Sequence, residues 1–455
     1  MNLIRSRRQG RKAEDKFEIP ESDRIGSPLL RPGLRLPHHR STTRHLASLY
    51  PCQIDPGLGA AGVLMGTDLD TSAPFHFDPF ELYSRGVITS PNMVILGLVG
   101  RGKSTVVKTL LYRSLGLLAS PGGQPRFAAI ADPKGEYEPL AKALGMTHLR
   151  LATGGSTRLN PLDPGPAHGT LSDLVSRRTH MVTALAAGIL ERPLHQIEDS
   201  AIGWTIEDIT RDWDERPTLA DVISLLTDPT DAMVTRSGTS RRALLQDCRD
   251  VRLALERLVT GPLKGMFDGD STERIDWKGR GVVIDLSGVT NTKEQPLVMI
   301  AATGWLQQLL AIPESDTVPR RYQVLEEIWA LLGNPHVARY YQACQKLSRT
   351  YGVANIAVAH RLEDLTAQTD DGTAAAKIGA GLIADTQTAV IFGLPPTQAR
   401  QAGDAFGLPS GATARLASLG RGEALWRVGD TLTAVGHVLG AKERVLTETD
   451  QNVSI

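Results

Sequence analysis

A glycine-rich segment near residue 100 has the residue types and spacing of a phosphate-binding loop. Residues 97–104 read GLVGRGKS, a full match to the pattern GxxxxGK[ST]. The apolar run Met93–Leu96 enters this segment, and apolar residues at helical spacing follow it. Glycines let consecutive backbone N–H groups point at phosphate oxygens, and a helix N-terminus adds partial positive charge. The segment therefore predicts a site for the phosphates of a nucleotide.

The residues of this loop have separate expected roles. Lys103 reaches the β- and γ-phosphates, and Ser104 ligates Mg²⁺. The other residues of the loop that we expect to contact the nucleotide are Gly97, Gly100, Arg101, Gly102 and Thr105. The alternative is a chance glycine-rich turn, which the flanking strand and helix patterns disfavour.

Two adjacent carboxylates follow a second apolar run. Glu326 and Glu327 come directly after Tyr322–Leu325. Because neighbouring residues at a strand end point apart, we expect Glu326 to orient the metal ion through water and Glu327 to polarise the attacking water. Glu326 is thus the second predicted metal-site residue beside Ser104. A helix start carrying two solvated acids is the alternative.

Two further polar groups follow apolar runs that are typical of strands. Asp132–Tyr137 reads DPKGEY and follows one run, and His360 follows another. Ligands bind at the carboxyl edge of parallel sheets, so we expect Asp132 and Lys134 to contact the nucleotide and His360 to sense the γ-phosphate. The alternatives are an ordinary turn at the first position and a surface histidine at a helix start at the second.

From residue 92 onward, short apolar runs alternate with helical patterns, which predicts an α/β fold with a mostly parallel sheet flanked by helices. The candidate strands are Met93–Leu96, Phe127–Ala131, Val282–Leu286, Tyr322–Leu325, Asn355–Ala359 and Ala389–Leu394. The candidate helices are Lys103–Leu118, Tyr137–Leu144, Gln295–Leu310, Val337–Tyr351 and Pro396–Phe406.

The same patterns divide the chain into segments. We predict a core formed by residues 91–163 and 276–440, interrupted by a mostly helical insertion at 164–275 and ending in a β-hairpin around Gly429-Asp430. Residues 46–90 are a short lead-in of strands and turns, and 441–455 form a tail. Residues 1–45 lack helical or strand periodicity and are predicted to be a flexible basic arm.

Composition limits the class of protein. The 455 residues are 41% hydrophobic and 22% charged, which excludes a disordered or fibrous chain. The net charge is zero, but residues 1–45 hold eleven Lys and Arg against five Asp and Glu. This arm is either a tether to DNA, anionic lipid or a partner, or a solvated tail.

Other sequence features bear on location and on metal sites. The three cysteines are far apart, without CxxC or CxH spacing, and indicate neither a disulfide framework nor a zinc site. No apolar run reaches the ~18 residues of a membrane span, and the N-terminus lacks the apolar core of a signal peptide. We expect a cytoplasmic protein.

Together these motifs resemble the FtsK–HerA superfamily of P-loop motor ATPases. Within it, the chain is most similar to the type IV secretion and conjugative transfer ATPases, the fourth VirB component. The similarity spans Pro91 to Val438. Its further segments are Leu159–Asp163, Gly265–Gly269, Val283–Ser287, Leu325–Leu332, Tyr351–Gly352 and Ala359–Leu365.

The resemblance implies a RecA-like P-loop fold of the HerA–FtsK type, ATP and Mg²⁺ as cofactors, and ATPase activity. Relatives form rings, usually hexamers, in which an arginine of one subunit completes the site of its neighbour. The candidates are Arg361, Arg400, Arg415 and Arg421, of which we favour Arg415 and Arg421. Glu326 stands where the family usually has Asp, and His360 stands where it commonly has Gln.

The leading hypothesis is a motor that couples ATP hydrolysis to the transfer of DNA or nucleoprotein in a conjugative or type IV secretion-like system. Its expected partners are further copies of the chain, the DNA or nucleoprotein, and membrane-embedded channel proteins, which would bring the cytoplasmic chain to the inner face of the membrane. One alternative is a stand-alone double-stranded DNA translocase like FtsK or HerA. Another, motivated by Glu326 and His360, is a scaffold that binds ATP without hydrolysing it.

Overall fold

The computed structural model of the chain describes residues 57–116, 125–164, 170–211, 216–273, 279–289, 294–310, 319–328, 338, 341–342, 345–346, 350–362 and 374–448. The predicted arm at 1–45, most of the predicted helix Val337–Tyr351 and the last residues of the tail lie outside these ranges.

The strands of the described residues form one sheet of eleven strands. They are β1 (Val63–Asp68), β2 (Pro74–Phe77), β3 (Met93–Leu96), β4 (Arg126–Asp132), β5 (Thr147–Ala152), β6 (Gly281–Gly288), β7 (Arg320–Leu325), β8 (Val353–Ala359), β9 (Thr388–Phe392), β10 (Glu423–Val428) and β11 (Thr431–His437).

The order of these strands is β2-β1-β11-β10-β9-β3-β8-β7-β4-β6-β5. The seven strands from β9 to β5 are parallel, and the other four are added antiparallel at the β9 edge. Strand β8 lies between β3, which enters the phosphate loop, and β7, which ends at the two glutamates. All three therefore deliver their following residues to one edge of the sheet.

The helices fall into three groups along the chain, which are separated here by the insertion that we predict at 164–275. Before the insertion come α1 (Pro79–Ser84), α2 (Lys103–Gly116) and α3 (Glu138–Leu144). Within it come α4 (Leu171–Leu190), α5 (Gln196–Ile209), α6 (Leu219–Thr227), α7 (Asp231–Ser237), α8 (Arg241–Asp247) and α9 (Arg249–Val259). After it come α10 (Gln295–Leu310), α11 (Ala374–Ala384), α12 (Pro396–Ala405), α13 (Ser410–Leu416) and α14 (Ala441–Thr447).

The central strands are apolar on both faces because both faces are covered by helices. In β3 every residue is buried, and alternate side chains enter different cores: Ile95 joins the core that contains α2 and α3, whereas Val94 and Leu96 join the core that contains α10 and the inserted helices. Burial on two sides fixes the register of β3 and hence the start of the phosphate loop.

The predicted fold class is confirmed, and the six predicted core strands lie within two residues of the observed ones. Strand β5 was not predicted. The helical pattern at Arg242–Leu258 forms two helices, α8 and α9, which meet at Cys248. The predicted terminal hairpin corresponds to β10 and β11. No helix in the described ranges is both long enough and apolar enough to span a bilayer.

The ends of the described chain meet at one edge of this sheet. Strand β1 pairs with β11, and α14 is anchored on α2 by a buried ion pair. The Arg113 guanidinium donates to both oxygens of Glu443, at 2.6 Å each, and also to the carbonyl oxygens of Val438, at 2.7 Å, and Leu64. The helix that follows the phosphate loop is thus bound to both terminal segments.

Candidate active site

The phosphate loop lies between β3 and α2, as the sequence predicts. Gly97 packs so closely on Phe392 that a Cβ atom at Gly97 would lie 2.6 Å from the Phe392 Cβ. Gly102 has a φ of +113°, which side-chain-bearing residues rarely adopt. Ser104 and Thr105 are half-buried in the first turn of α2. The glycines are therefore required by close packing and by backbone conformation.

Lys103 is buried beneath this loop. Its Nζ donates to the carbonyl oxygens of Gly97 at 2.5 Å and Leu98 at 3.1 Å. It also lies 2.9 Å from Nδ1 of His360. An ammonium group can only donate, so Nδ1 accepts and the ring proton of a neutral His360 is on Nε2.

His360 connects the phosphate loop to one of the predicted glutamates. Its Nε2 lies 2.7 Å from Oε1 of Glu327, so the imidazole donates to that carboxylate while accepting from Lys103. The residue that we expected to sense the γ-phosphate thus joins the expected phosphate lysine to the expected catalytic carboxylate. These three residues come from the ends of three different strands or helices.

Glu326 and Glu327 diverge after β7, as expected for adjacent residues at a strand end. Glu327 has a φ of +56°, an unusual conformation for a non-glycine residue. Its Oε1 accepts from Nζ of Lys134 at 2.5 Å, in addition to His360. Glu326 is 6% exposed and accepts from the Tyr137 hydroxyl at 2.5 Å. The structure does not place Glu326 in solvent.

Both glutamates are contacted from one turn, Asp132–Tyr137. The Asp132 carboxylate accepts from the backbone N–H groups of Lys134 (3.1 Å), Gly135 (2.9 Å) and Tyr137 (2.8 Å). Gly135 has a φ of +72°, and a Cβ there would lie 2.8 Å from Oγ of Ser287. Asp132 therefore shapes the turn that brings Lys134 to Glu327 and Tyr137 to Glu326.

The two glutamates have opposite pKa shifts. Burial raises the pKa of Glu326 to about 7, against the lowering effect of the Tyr137 hydrogen bond. For Glu327 burial also favours the neutral acid, but the hydrogen bonds from His360 and Lys134 outweigh it and lower the pKa to about 2. Near neutral pH Glu327 is an anion, whereas Glu326 is close to its titration midpoint.

A buried lysine follows the metal-site candidate Ser104 in α2. Lys108 comes one helical turn after Ser104, with Nζ 3.6 Å from Oε2 of Glu136 and 5.1 Å from the centre of the Tyr137 ring. Its side chain is 1% exposed, and burial lowers its pKa. Sequence reasoning named neither Lys108 nor Tyr137 as a site residue. The spacing from Ser104, which places Lys108 on the same helical face, was the available signal.

The donor set at this edge fits Mg²⁺. The Ser104 hydroxyl and the Glu326 carboxyl supply hard oxygen ligands, and Mg²⁺ typically takes few protein ligands while keeping substrate phosphates and water. The described residues contain no cluster of three or more His, Cys, Asp or Glu that would enclose a metal ion. Glu326 is linked to α2, the helix that begins at the phosphate loop, because Tyr137 donates to Glu326 and its ring contacts Lys108.

The four arginine candidates differ in their surroundings. Arg415 pairs with Asp70 of its own chain at 2.7 and 2.8 Å. Arg361, Arg400 and Arg421 are exposed. Arg421 is followed by Gly422, whose N–H donates to the carbonyl oxygen of Arg101 at 3.0 Å.

The comparisons with known proteins bear on the fold that carries this site. Residues 87–302 match the family model described as the central domain of helicase HerA. The solved structure of VirB4 from Thermoanaerobacter pseudethanolicus aligns with a TM-score of 0.64 at 18% identity, covering 84% of this chain and 98% of that one. A search of curated proteins finds no match.

Structures of the plasmid coupling protein TrwB also align. The complex with the ATP analogue ADPNP has a TM-score of 0.52 at 15% identity and covers 77% of this chain and 85% of that one. The complex with ADP and Mg²⁺ has a TM-score of 0.50 at 14% identity and covers 77% and 86%. These findings confirm the resemblance inferred from the motifs. Residues 87–302 are similar to the central domain of helicase HerA, and the chain has the same fold as the VirB4 and TrwB structures.

Proposed function

We propose that the chain is an ATP-hydrolysing motor of a conjugative transfer or type IV secretion-like system. The observation that carries the proposal is the chain of contacts from Lys103 through His360 to Glu327. It supports the proposal because a lysine, a histidine and a carboxylate in contact beside one loop are side chains that could bind phosphate, sense it and accept a proton in phosphoryl transfer to water. The likeness to VirB4 and TrwB supports the biological setting.

The proposed mechanism starts from the resting contacts. Lys103 exchanges the carbonyl oxygens of Gly97 and Leu98 for phosphate oxygens. Glu327 accepts the proton of the attacking water, and His360 detects whether a γ-phosphate is present. Ser104 and Glu326 would hold Mg²⁺, which neutralises charge on the phosphates when it is bound. Gly100, Arg101, Gly102 and Thr105 contribute backbone and side-chain contacts to the phosphates.

Substitution of two residues tests the proposal. Lys103→Ala should abolish detectable ATP binding, because the principal phosphate cation is lost. Glu327→Gln should retain ATP binding but lower kcat by roughly 100-fold or more, the usual contribution of a general base. Binding is measured with a fluorescent ATP analogue and turnover by phosphate release. Lys142→Ala on the exposed face of α3 is the control and should leave both unchanged.

Wild-type protein without turnover in any oligomeric or DNA-bound condition would contradict the motor.

A scaffold that binds ATP without hydrolysing it is the second candidate. The observation that favours it is Glu327 itself, whose Oε1 is already engaged by Lys134 and His360. Binding of ATP with no phosphate release, together with assembly in a non-hydrolysable analogue, would identify the scaffold.

The proposed partners follow from the same family likeness. We propose a homo-oligomeric ring, with hexamers as the expected form, that acts on DNA or nucleoprotein beside a membrane-embedded channel. A stand-alone translocase would instead show hydrolysis stimulated by double-stranded DNA with steep salt dependence, since neutralised phosphates release counterions.

A further inference from the structure

Lys134 contacts the proposed catalytic base, Glu327. Its Nζ lies 2.5 Å from Oε1 of Glu327, and the same oxygen accepts from Nε2 of His360. His360 in turn contacts Lys103. Lys134 is therefore separated from the phosphate lysine by one carboxylate and one imidazole.

The contact between Lys134 and Glu327 opposes the proposed role of Glu327. An oxygen that already accepts from an ammonium and an imidazole is a poor acceptor for a proton from water. Oε1 of Glu327 can therefore take a proton from water only after one of these donors has moved. Of the two, Lys134 has the more exposed side chain, at 44%, and a long flexible stem.

The backbone that carries Lys134 is fixed while its ammonium group is free to change partners. Asp132 binds the N–H groups of Lys134 and Gly135, and Gly135 packs on Ser287. The turn thus holds the Cα of Lys134 beside the site. A γ-phosphate carries more negative charge than a carboxylate and offers three acceptor oxygens, so it competes strongly for an ammonium within reach.

We infer that Lys134 is a positioning residue that moves from Glu327 to the γ-phosphate when ATP binds, and so frees the base only in the triphosphate state. The inference rests on the proposed function. ADP has no γ-phosphate and leaves Lys134 on Glu327. The same residue thereby makes the site distinguish ATP from ADP.

The test measures nucleotide affinity and needs no turnover. Equilibrium dissociation constants for ATPγS and ADP, both with Mg²⁺, are compared for wild type, Lys134→Met and Lys134→Arg. Lys134→Met should weaken ATPγS by about tenfold, the order expected for one lost hydrogen bond to a charged group, and change ADP by less than about twofold. Lys134→Arg keeps the charge and should retain most of the discrimination.

A double-mutant cycle examines the exchange of partners. In Glu327→Gln the lysine no longer leaves a carboxylate, so ATPγS should bind more tightly than to wild type, and ADP should be less affected. Lys134→Met should then cost more in the Glu327→Gln background than in wild type. Lys142→Met on α3 is the matched control for loss of a lysine and should change neither affinity.

Equal weakening of ATPγS and ADP by Lys134→Met, or no weakening of either, would overturn the inference and leave the proposed function standing. Additive effects in the cycle would also overturn it. Wild-type protein that binds neither nucleotide would overturn the proposed function and this inference together.

Discussion

Tyr137 and Lys134 give two neighbouring glutamates different hydrogen-bonding environments. Glu326 is buried and bound to a neutral hydroxyl, whereas Glu327 is bound to an imidazole and an ammonium. Pairs of acids whose environments separate their pKa values are typical of sites that assign them different roles. The arrangement is consistent with a metal-ordering role for Glu326 and a base role for Glu327.

The raised pKa of Glu326 predicts a pH dependence of stability. The folded pKa, about 7, lies above the ordinary value of 4.5, so the fold binds this proton more tightly than the unfolded chain does. The stabilisation that this tighter proton binding gives to the fold is complete below about pH 4.5 and is lost as the pH rises through 7. It amounts to about 3 kcal/mol at most. The lowered pKa of Glu327 changes the stability only below pH 4.5, which is outside this window.

Urea unfolding from pH 4.5 to 8, without nucleotide or Mg²⁺, measures this effect. The free energy of unfolding of wild type should fall relative to that of Glu326→Gln across the window, because the amide does not titrate. Curves that stay parallel would show that Glu326 keeps an ordinary pKa in the folded protein.

At the scale of elements, the turn Asp132–Tyr137 depends on Gly135. Gly135→Ala should destabilise the protein by about 2–4 kcal/mol, because a left-handed residue gains a side chain and its Cβ meets Ser287 at 2.8 Å. It should also lower kcat by displacing Lys134. The measurements are thermal unfolding and phosphate release.

Gly145 is the matched control for this prediction. It has a similar φ of +65°, but a Cβ there would have no atom within 4 Å. Gly145→Ala should therefore cost only about 1–2 kcal/mol and leave kcat unchanged. Equal effects of the two substitutions would mean that crowding at Ser287 is unimportant.

The contact between α2 and α14 gives a second prediction for elements. Glu443→Ala should destabilise the protein by about 3–5 kcal/mol, since it leaves the Arg113 guanidinium buried without its carboxylate. Lys442→Ala, an exposed neighbour on α14, should change stability by less than about 0.5 kcal/mol. Chemical unfolding compares the two, and similar values would contradict an anchoring role for Arg113.

The local parts of this site could be read from the sequence, and the distant contacts could not. The phosphate loop is contiguous in the sequence, and the spacing of its glycines and lysine is enough to predict its function. The partner of Glu326, Tyr137, lies 189 residues away, and the partner of Arg113 lies 330 residues away. No periodicity in one sequence relates such pairs, because they are set by the order of strands in the sheet.

The elements show the same division. Strands that are buried on both faces, such as β3 and β8, were predicted because their apolar runs are continuous. Strand β5 was missed because it is a partly exposed edge strand in which His148 and Arg150 interrupt the apolar residues, so that it has no continuous apolar run. The break at Cys248 was missed because the apolar residues on either side keep a helical spacing.

At the scale of the whole molecule, the proposed ring predicts that the site is shared between subunits. The ATPase rate per subunit should rise with protein concentration. A mixture of two inactive variants, Lys103→Ala and Arg421→Ala, should regain activity, because some interfaces combine an intact loop with an intact arginine. In a random equal mixture about a quarter of the interfaces qualify.

Phosphate release from the mixture, compared with each variant alone, measures this complementation. A second mixture, of Lys103→Ala and Arg415→Ala, is the comparison, because Arg415 is paired with Asp70 in its own chain. Recovery with Arg415→Ala but not with Arg421→Ala would assign the shared arginine to position 415. A rate per subunit independent of concentration would contradict a shared site.

The pairing of β1 with β11 has a consequence for biosynthesis. The register joins Gly66 to His437, so the second strand cannot leave the ribosome until 437 − 66 = 371 further residues have been translated. At the usual elongation rates the wait is on the order of tens of seconds. During that time the early strands expose an unpaired backbone and buried-type side chains such as Met65 and Phe77. We expect nascent chains halted before β11 to recruit chaperones, and chains extended beyond β11 to release them.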